Sequence, residues 1–148
     1  MLGVNPISRS FGFDRGTPID RYYIEIFLHK HSSLIYGITL EIEENLYSKK
    51  FGNNINKHEI LSISKDQKNA TIIGDLSIPE KLPKDVTNCF ICTQTLNFIY
   101  DFKKAIVGIY NLLKPEGIAL VTVAGICQIS RYDADRWGDF WRFNPQEI

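Results

Sequence analysis

Several things are scarce in this chain. Its 148 residues include one methionine and three cysteines, and 17 Lys+Arg balance 17 Asp+Glu, so the net charge is zero. That balance excludes the electrostatic footprint of a general nucleic-acid binder or of a protein held on an anionic membrane. The start, Met1-Leu2-Gly3-Val4-Asn5-Pro6, has no basic region followed by a long apolar run, so no secretory signal is expected. The longest uncharged stretches, 86–100 and 117–130, fall short of the ~18–20 apolar residues of a membrane span and read as buried strands. Also missing are a phosphate-cradling G-x-x-x-x-G-K-[ST], a readable Ser-His-Asp or Cys-His arrangement, and any repeat or low-complexity tract.

The few cysteines and histidines form no chemical cluster. Cys89 and Cys92 make a C-x-x-C inside a strand-like run, where positions i and i+3 point to opposite faces. They are expected to be small buried residues in a reducing cytoplasm, not a metal or redox pair. His29 and His31 diverge on an expected helix, and His58 stands alone, so no zinc-type site is predicted. Asn69-Ala70-Thr71 is a chance glycosylation match in the absence of a secretory signal.

What is present reads as one domain over 1–148. A lead-in at 1–16, with Arg9, Phe11, Phe13, Asp14 and Arg15, is expected to be irregular. Thr17-Pro18 predicts a helix start, with Thr17 as N-cap and Pro18 at the first helical position. Ile19, Tyr22, Tyr23, Ile26 and Phe27 then follow at helical spacing, predicting an apolar face to about Lys30 with one of the two tyrosines in the core. Strands are expected at 38–42, 60–64, 70–74, 88–93 and 118–123. Between the first two lies a polar segment, 43–52, anchored by Tyr47 and Phe51. Pro79 and Pro83 bracket a loop. Asp101 can cap a helix carrying Phe102, Ala105, Ile106, Ile109, Leu112 and Leu113, which Lys114-Pro115-Glu116-Gly117 ends. Apolar strands separated by crossovers predict a three-layer α/β fold with a mostly parallel sheet of about five strands. The closing stretch, 130–148, mixes Arg131, Tyr132, Asp133, Arg136, Trp137 and Trp141 without period. It reads equally as an irregular cover or as a ligand-facing loop.

These pieces together resemble a class I S-adenosylmethionine-dependent methyltransferase. Lys114-Pro115-Glu116-Gly117 leading into 118–123 is similar to that family's L-K-P-G-G turn before strand five. Gly74-Asp75-Leu76 resembles its adenine-contacting acidic turn, Thr93-Gln94 its strand-four edge, and Leu40-Glu41-Ile42 its acidic strand-one motif. Two stretches, 11–23 and 129–139, look like a subgroup of small methyltransferase-like domains, some linked to glycan or sugar-transfer proteins. The resemblance implies a Rossmann-like methyltransferase order, the cofactor S-adenosylmethionine and a small-molecule or glycan-linked methyl acceptor. It implies a cofactor site at Glu41, Glu43, Asn45, Ser64, Asp75, Leu76, Thr93 and Gln94, with no metal and no catalytic residue assignable.

The chain departs from that pattern in three places. Glu43, Asn45 and Tyr47 stand where the family's glycines let the backbone approach the cofactor. A carboxylate at position 43 adds bulk, and facing inward it would repel the cofactor's own carboxylate. Ser64 stands where the family carries an acid for the ribose hydroxyls, with Asp66 nearby. The family's final strands are missing, which leaves strand five as an edge open to self-association or to a partner. A non-catalytic scaffold descended from a methyltransferase is therefore the alternative expectation.

Overall fold

The computed structural model describes Ser8 and residues 11–145. Arg9, expected in the lead-in, and the chain end at Ile148 lie outside them. Five strands form one all-parallel sheet in the order β3-β2-β1-β4-β5. They are β1 (Gly37–Ile42), β2 (Ile55–Ser62), β3 (Ile72–Ile73), β4 (Thr87–Thr93) and β5 (Leu113–Thr122). The helices are α1 (Ile19–Lys30), α2 (Leu46–Phe51), α3 (Phe102–Leu112) and α4 (Arg131–Ala134). No helix among the described residues is long and apolar enough to cross a membrane.

The central strands β1 and β4 are buried on both faces, which requires apolar side chains pointing both ways. Leu40, Phe90, Cys92, Ala105, Ile109 and Leu112 build the core under α3. Ile24, Leu28, Ile35, Cys89, Ile91 and Leu120 build the one under α1. Cys89 and Cys92 thus occupy opposite faces of β4, where burial pushes each thiol up to about 12.

Tertiary packing reassigns several expected positions. Helix α1 has the expected length but the opposite buried face. Ile24 and Leu28 are buried, whereas Ile19, Tyr22, Tyr23 and Ile26 are exposed. At 100° per residue these two sets lie on nearly opposite sides of the helix, and the tyrosine-bearing stripe leaves its hydroxyls in water. The start also shifts by one, with Pro18 as N-cap and no side-chain bond from Thr17. Strand β2 begins at Ile55 and ends at Ser62, not at Ser64. Its first half was hidden by polarity: Asn56, Lys57 and Glu59 are tolerated because β3 pairs only with Leu61 and Ser62, leaving that half as an edge. The third strand shrinks to two residues. Leu113, expected in the helix, opens β5 opposite Thr87, and Ile106 is exposed.

One close approach fixes α3 against the β3 side of the sheet. A Cβ built on Gly108 would lie 2.5 Å from the Leu76 carbonyl oxygen and 3.0 Å from Leu82 Cδ1. Alanine would gain about 1 kcal/mol of helix propensity but force backbone apart, so Gly108→Ala is expected to lose a net ~1–2 kcal/mol, read from the denaturant midpoint at unchanged slope.

Candidate functional site

The carboxyl ends of parallel strands gather the loops that carry chemistry in such sheets, and the order here reverses between β1 and β4. At the tip of β1, Glu41 is 2% exposed. Its Oε2 accepts from the Tyr47 N–H at 3.0 Å and its Oε1 from the Ser48 N–H at 2.8 Å. Asn45 occupies the N-cap of α2 but makes no side-chain cap bond, so Glu41 satisfies the orphan donors from the strand below. Burial raises the Glu41 carboxyl above its ordinary range, and the hydrogen bonds from Ser48 and Tyr47 pull the other way.

Ser48 Oγ lies 2.8 Å from His58 Nδ1, so His58, expected to stand alone, is paired. Glu41, Ser48 and the half-buried His58 form a chain, but its order is not that of a hydrolytic triad. The acid meets the serine N–H and not the imidazole, and Ser48 is 1% exposed. The arrangement is structural.

The turn after Glu41 carries the first departure from the methyltransferase pattern. Glu43 is left-handed at φ 63°, a conformation natural to glycine and strained for other residues. The Glu44 N–H donates to the Ile42 carbonyl across it. Its side chain faces neither the protein interior nor a cation. Glu43 Oε1 accepts from Ser62 Oγ at 2.7 Å, and Gln67 Nε2 donates to the Glu43 carbonyl at 3.0 Å and to Oε2 at 3.4 Å. The carboxylate therefore bridges the tips of β1 and β2.

The other expected residues scatter. Ser64 is exposed two residues beyond the strand end, its N–H donating to Ser62 Oγ and its own Oγ accepting from the Asp66 N–H. Asp75 Oδ1 accepts from both the N–H and the hydroxyl of Ser77, a self-contained turn. Leu76 is buried in the core beneath α3. Thr93 is half-buried at the end of β4, and Gln94, at φ 50°, donates its N–H to the Thr122 carbonyl.

None of these eight lines the cavity of about 670 Å³ that opens beside the same turn. Its walls come from the lead-in, α1 and α2: Phe13, Pro18, Leu46 and Tyr47 are the apolar part, Arg21, Glu25, Glu44 and Lys50 the charged part. Arg21 Nη1 donates to the Tyr47 hydroxyl at 2.6 Å, and Lys50 pairs with Glu25 at 2.7 Å. Burial lowers the Arg21 pKa, but the Tyr47 bond and the Asp20 and Glu44 carboxylates outweigh it, so the guanidinium is held charged. Arg21 falls within the 11–23 stretch of the resemblance, but its place at this cavity depends on the packing of α1 against α2. Among the described residues no group of three or more His, Cys, Asp or Glu could hold a metal ion.

The segment after β5 folds back as a strap. Arg142 grips both Asp139 oxygens at 2.6 and 2.7 Å and donates to the carbonyls of Cys127, Gln128 and Trp141. The Arg142 guanidinium holds the Asp139 carboxyl below its ordinary range. The Phe140 and Trp141 N–H groups both donate to the Asn97 carbonyl, and Phe143 enters the core. Tyr132 and Trp137 remain exposed. The stretch is thus cover at its end and open surface at its start.

Two measurements test this framework. Glu41→Gln keeps one acceptor and turns an amide donor toward the other N–H, so it is expected to lose about 1–3 kcal/mol at neutral pH. Because the folded-state pKa of Glu41 is raised, lowering the pH through it toward the ordinary 4.5 stabilises the native chain. That gain is absent from the variant in pH-dependent denaturant titrations. Arg142→Lys keeps the charge but loses the two-pronged grip. It is expected to cost about 1–3 kcal/mol and to expose 124–143 to limited proteolysis.

No protein-family model and no curated protein sequence matches the chain. Its shape is similar to solved structures. These include the YcgJ protein of Bacillus subtilis (TM-score 0.54, 14% identity, 70% of this chain and 51% of that one). A second is a Galdieria sulphuraria protein provisionally assigned as a sarcosine dimethylglycine methyltransferase (0.52, 15%, 70% and 45%). A third is DhpI in complex with SAM and HEP (0.57, 12%, 78% and 60%). The chain thus spans about half the length of these structures. Five parallel strands in this order, with helices on both faces and these neighbours, give the chain the class I methyltransferase-like, Rossmann-like fold.

Proposed function

We propose that this chain is the cofactor-holding part of an S-adenosylmethionine-dependent methyltransferase acting on a small-molecule or glycan-linked acceptor. The observation that carries the reading is the left-handed turn at Glu43 beside a cavity containing a charged guanidinium. The left-handed backbone at Glu43 is one that glycine adopts without strain. The cavity supplies what a methionine-type ligand end requires. Arg21, with one Nη bonded to Tyr47, has further N–H groups for a carboxylate, and Glu44 on the same wall suits an ammonium. Phe13, Leu46 and Tyr47 offer apolar contact for the chain between them.

When bound, the cofactor supplies a methyl group made electrophilic by its sulfonium. This chain's residues would orient the two ends of the ligand and hold an acceptor in line, so positioning carries the effect and no general base is assigned. The exposed rings of Tyr132 and Trp137, with Arg136 3.4 Å over the Tyr132 ring, are the acceptor-side surface in this reading.

A second reading, a binding scaffold without catalysis, is favoured by one specific observation. Glu41 and Asp75, the acids that resemble cofactor contacts, are both engaged within the fold. Calorimetric titration of the chain with S-adenosylmethionine separates the two. The methyltransferase reading expects micromolar affinity, weakened roughly ten- to a hundredfold in Arg21→Ala by loss of a charge-assisted hydrogen bond. No heat at millimolar ligand would leave the scaffold.

A further inference from the structure

We propose that the lead-in, residues 11–16, is a gate on the large cavity, latched by the Phe11 ring seated on Tyr132. Phe13 and Gly16 form part of the cavity wall, so the lead-in cannot swing away without opening it. Which ligand the gate retains rests on the methyl-donor reading above; the gate and its latch do not.

Three observations separate a latch from an incidental contact. The first is how the lead-in is held. The Arg15 N–H donates to the Gly12 carbonyl, the Gly12 N–H to Ser8 Oγ, and Ser8 Oγ to the Asp14 carboxylate. These bonds run within the lead-in. What reaches across to the far end of the chain is the Phe11 ring, edge-to-face on Tyr132 with centroids 6.1 Å apart. The second is the socket. The Arg136 guanidinium lies 3.4 Å over the Tyr132 ring, and Trp137 meets that ring at 6.4 Å. Trp137 in turn touches Phe98, just beyond β4. The strap that carries this socket is closed at its ends by the Phe143 N–H on the Ala124 carbonyl and clasped by Arg142 on Asp139. The third is the backbone. Phe11 is the one bulky aromatic held at positive φ, 56°, among the described residues, a costly conformation for such a side chain unless its surroundings support it. Gly16, where the lead-in joins α1, sits at φ 114° and ψ −149°, open in practice to glycine alone, and a Cβ built there meets nothing within 4 Å. One partner of the contact is therefore anchored, and the other hangs on a glycine hinge with free space around it. Tyr132 also belongs to the surface read above as acceptor-facing, so the closing of the cavity and that surface share one ring.

Trypsin cleavage after Arg15, followed by mass, reads opening of the gate with no ligand added. Phe11→Ala and Tyr132→Ala are each expected to speed it about threefold to tenfold, the range that one edge-to-face aromatic pair supplies. The double variant is expected to stay within about twofold of the faster single one, because both remove the same contact. Tyr132→Phe keeps the ring and is expected to match the wild type. Equal cleavage of the wild type and both alanine variants, or a double variant whose effect is the product of the two single effects, overturns the latch. Dissociation of S-adenosylmethionine, measured by stopped flow, is expected to quicken in Phe11→Ala by the factor seen in cleavage. Binding with unchanged dissociation overturns the gate and leaves the methyl-donor reading standing. A wild type that does not bind S-adenosylmethionine overturns that reading, and the cleavage rates then decide the latch without it.

Discussion

The buried carboxylate of Glu41 is the hinge of this molecule. A strand tip and a six-residue helix have no intrinsic reason to hold together. A helix of that length is marginal by itself, and its first N–H groups have no partner within it. Glu41 reaches up from β1 and accepts two of those donors, which fixes where α2 starts and how it sits over the sheet. Tyr47 and Ser48, the two residues so anchored, then do separate work. Tyr47 packs beneath α1 and orients Arg21, while Ser48 meets His58 on β2. The turn between Glu41 and α2 has only a few residues in which to reverse direction. The left-handed backbone at Glu43 is the geometric consequence.

The carboxyl edge of the sheet is therefore built from groups with divided duties. Each of three acids accepts two hydrogen bonds on its carboxylate, Glu41 from the N–H groups of α2, Asp75 from Ser77, and Glu43 from Ser62 and Gln67. Arg21 and Arg142 differ. Arg142 is filled by Asp139 and three carbonyls and acts as a clasp for the strap. Arg21 bonds to the Tyr47 hydroxyl and lines a cavity.

Much of the architecture was legible before any coordinates. The strands at 38–42, 88–93 and 118–123 and the helices starting near residues 19 and 102 emerge where expected, because continuous apolar runs and clean caps leave few alternatives. The candidate site was less legible. Leu76 looked like part of a cofactor turn, yet Gly108 lets α3 approach so closely that Leu76 becomes core. One of Tyr22 and Tyr23 is expected in the core because periodicity counts any aromatic as apolar, whereas both are exposed and the Ile24–Leu28 pair docks. Arg21 and Tyr47 fall in stretches that carry the resemblance, but their meeting with Lys50 at one cavity depends on two helices that the sequence does not mark as neighbours.

Read alone, the chain specifies the alternation of strands and crossovers, a mostly parallel sheet, and the placing of Glu41 and Glu43 around the first turn. These are consequences of local periodicity and of spacing along one strand. Three-dimensional packing sets which donors each acid accepts from, which face of α1 is buried, and that β2 stops at Ser62 within reach of Glu43. Those outcomes depend on distances between groups far apart in the chain, and hydrogen bonds form or fail within tenths of an ångström that no pattern along the chain encodes.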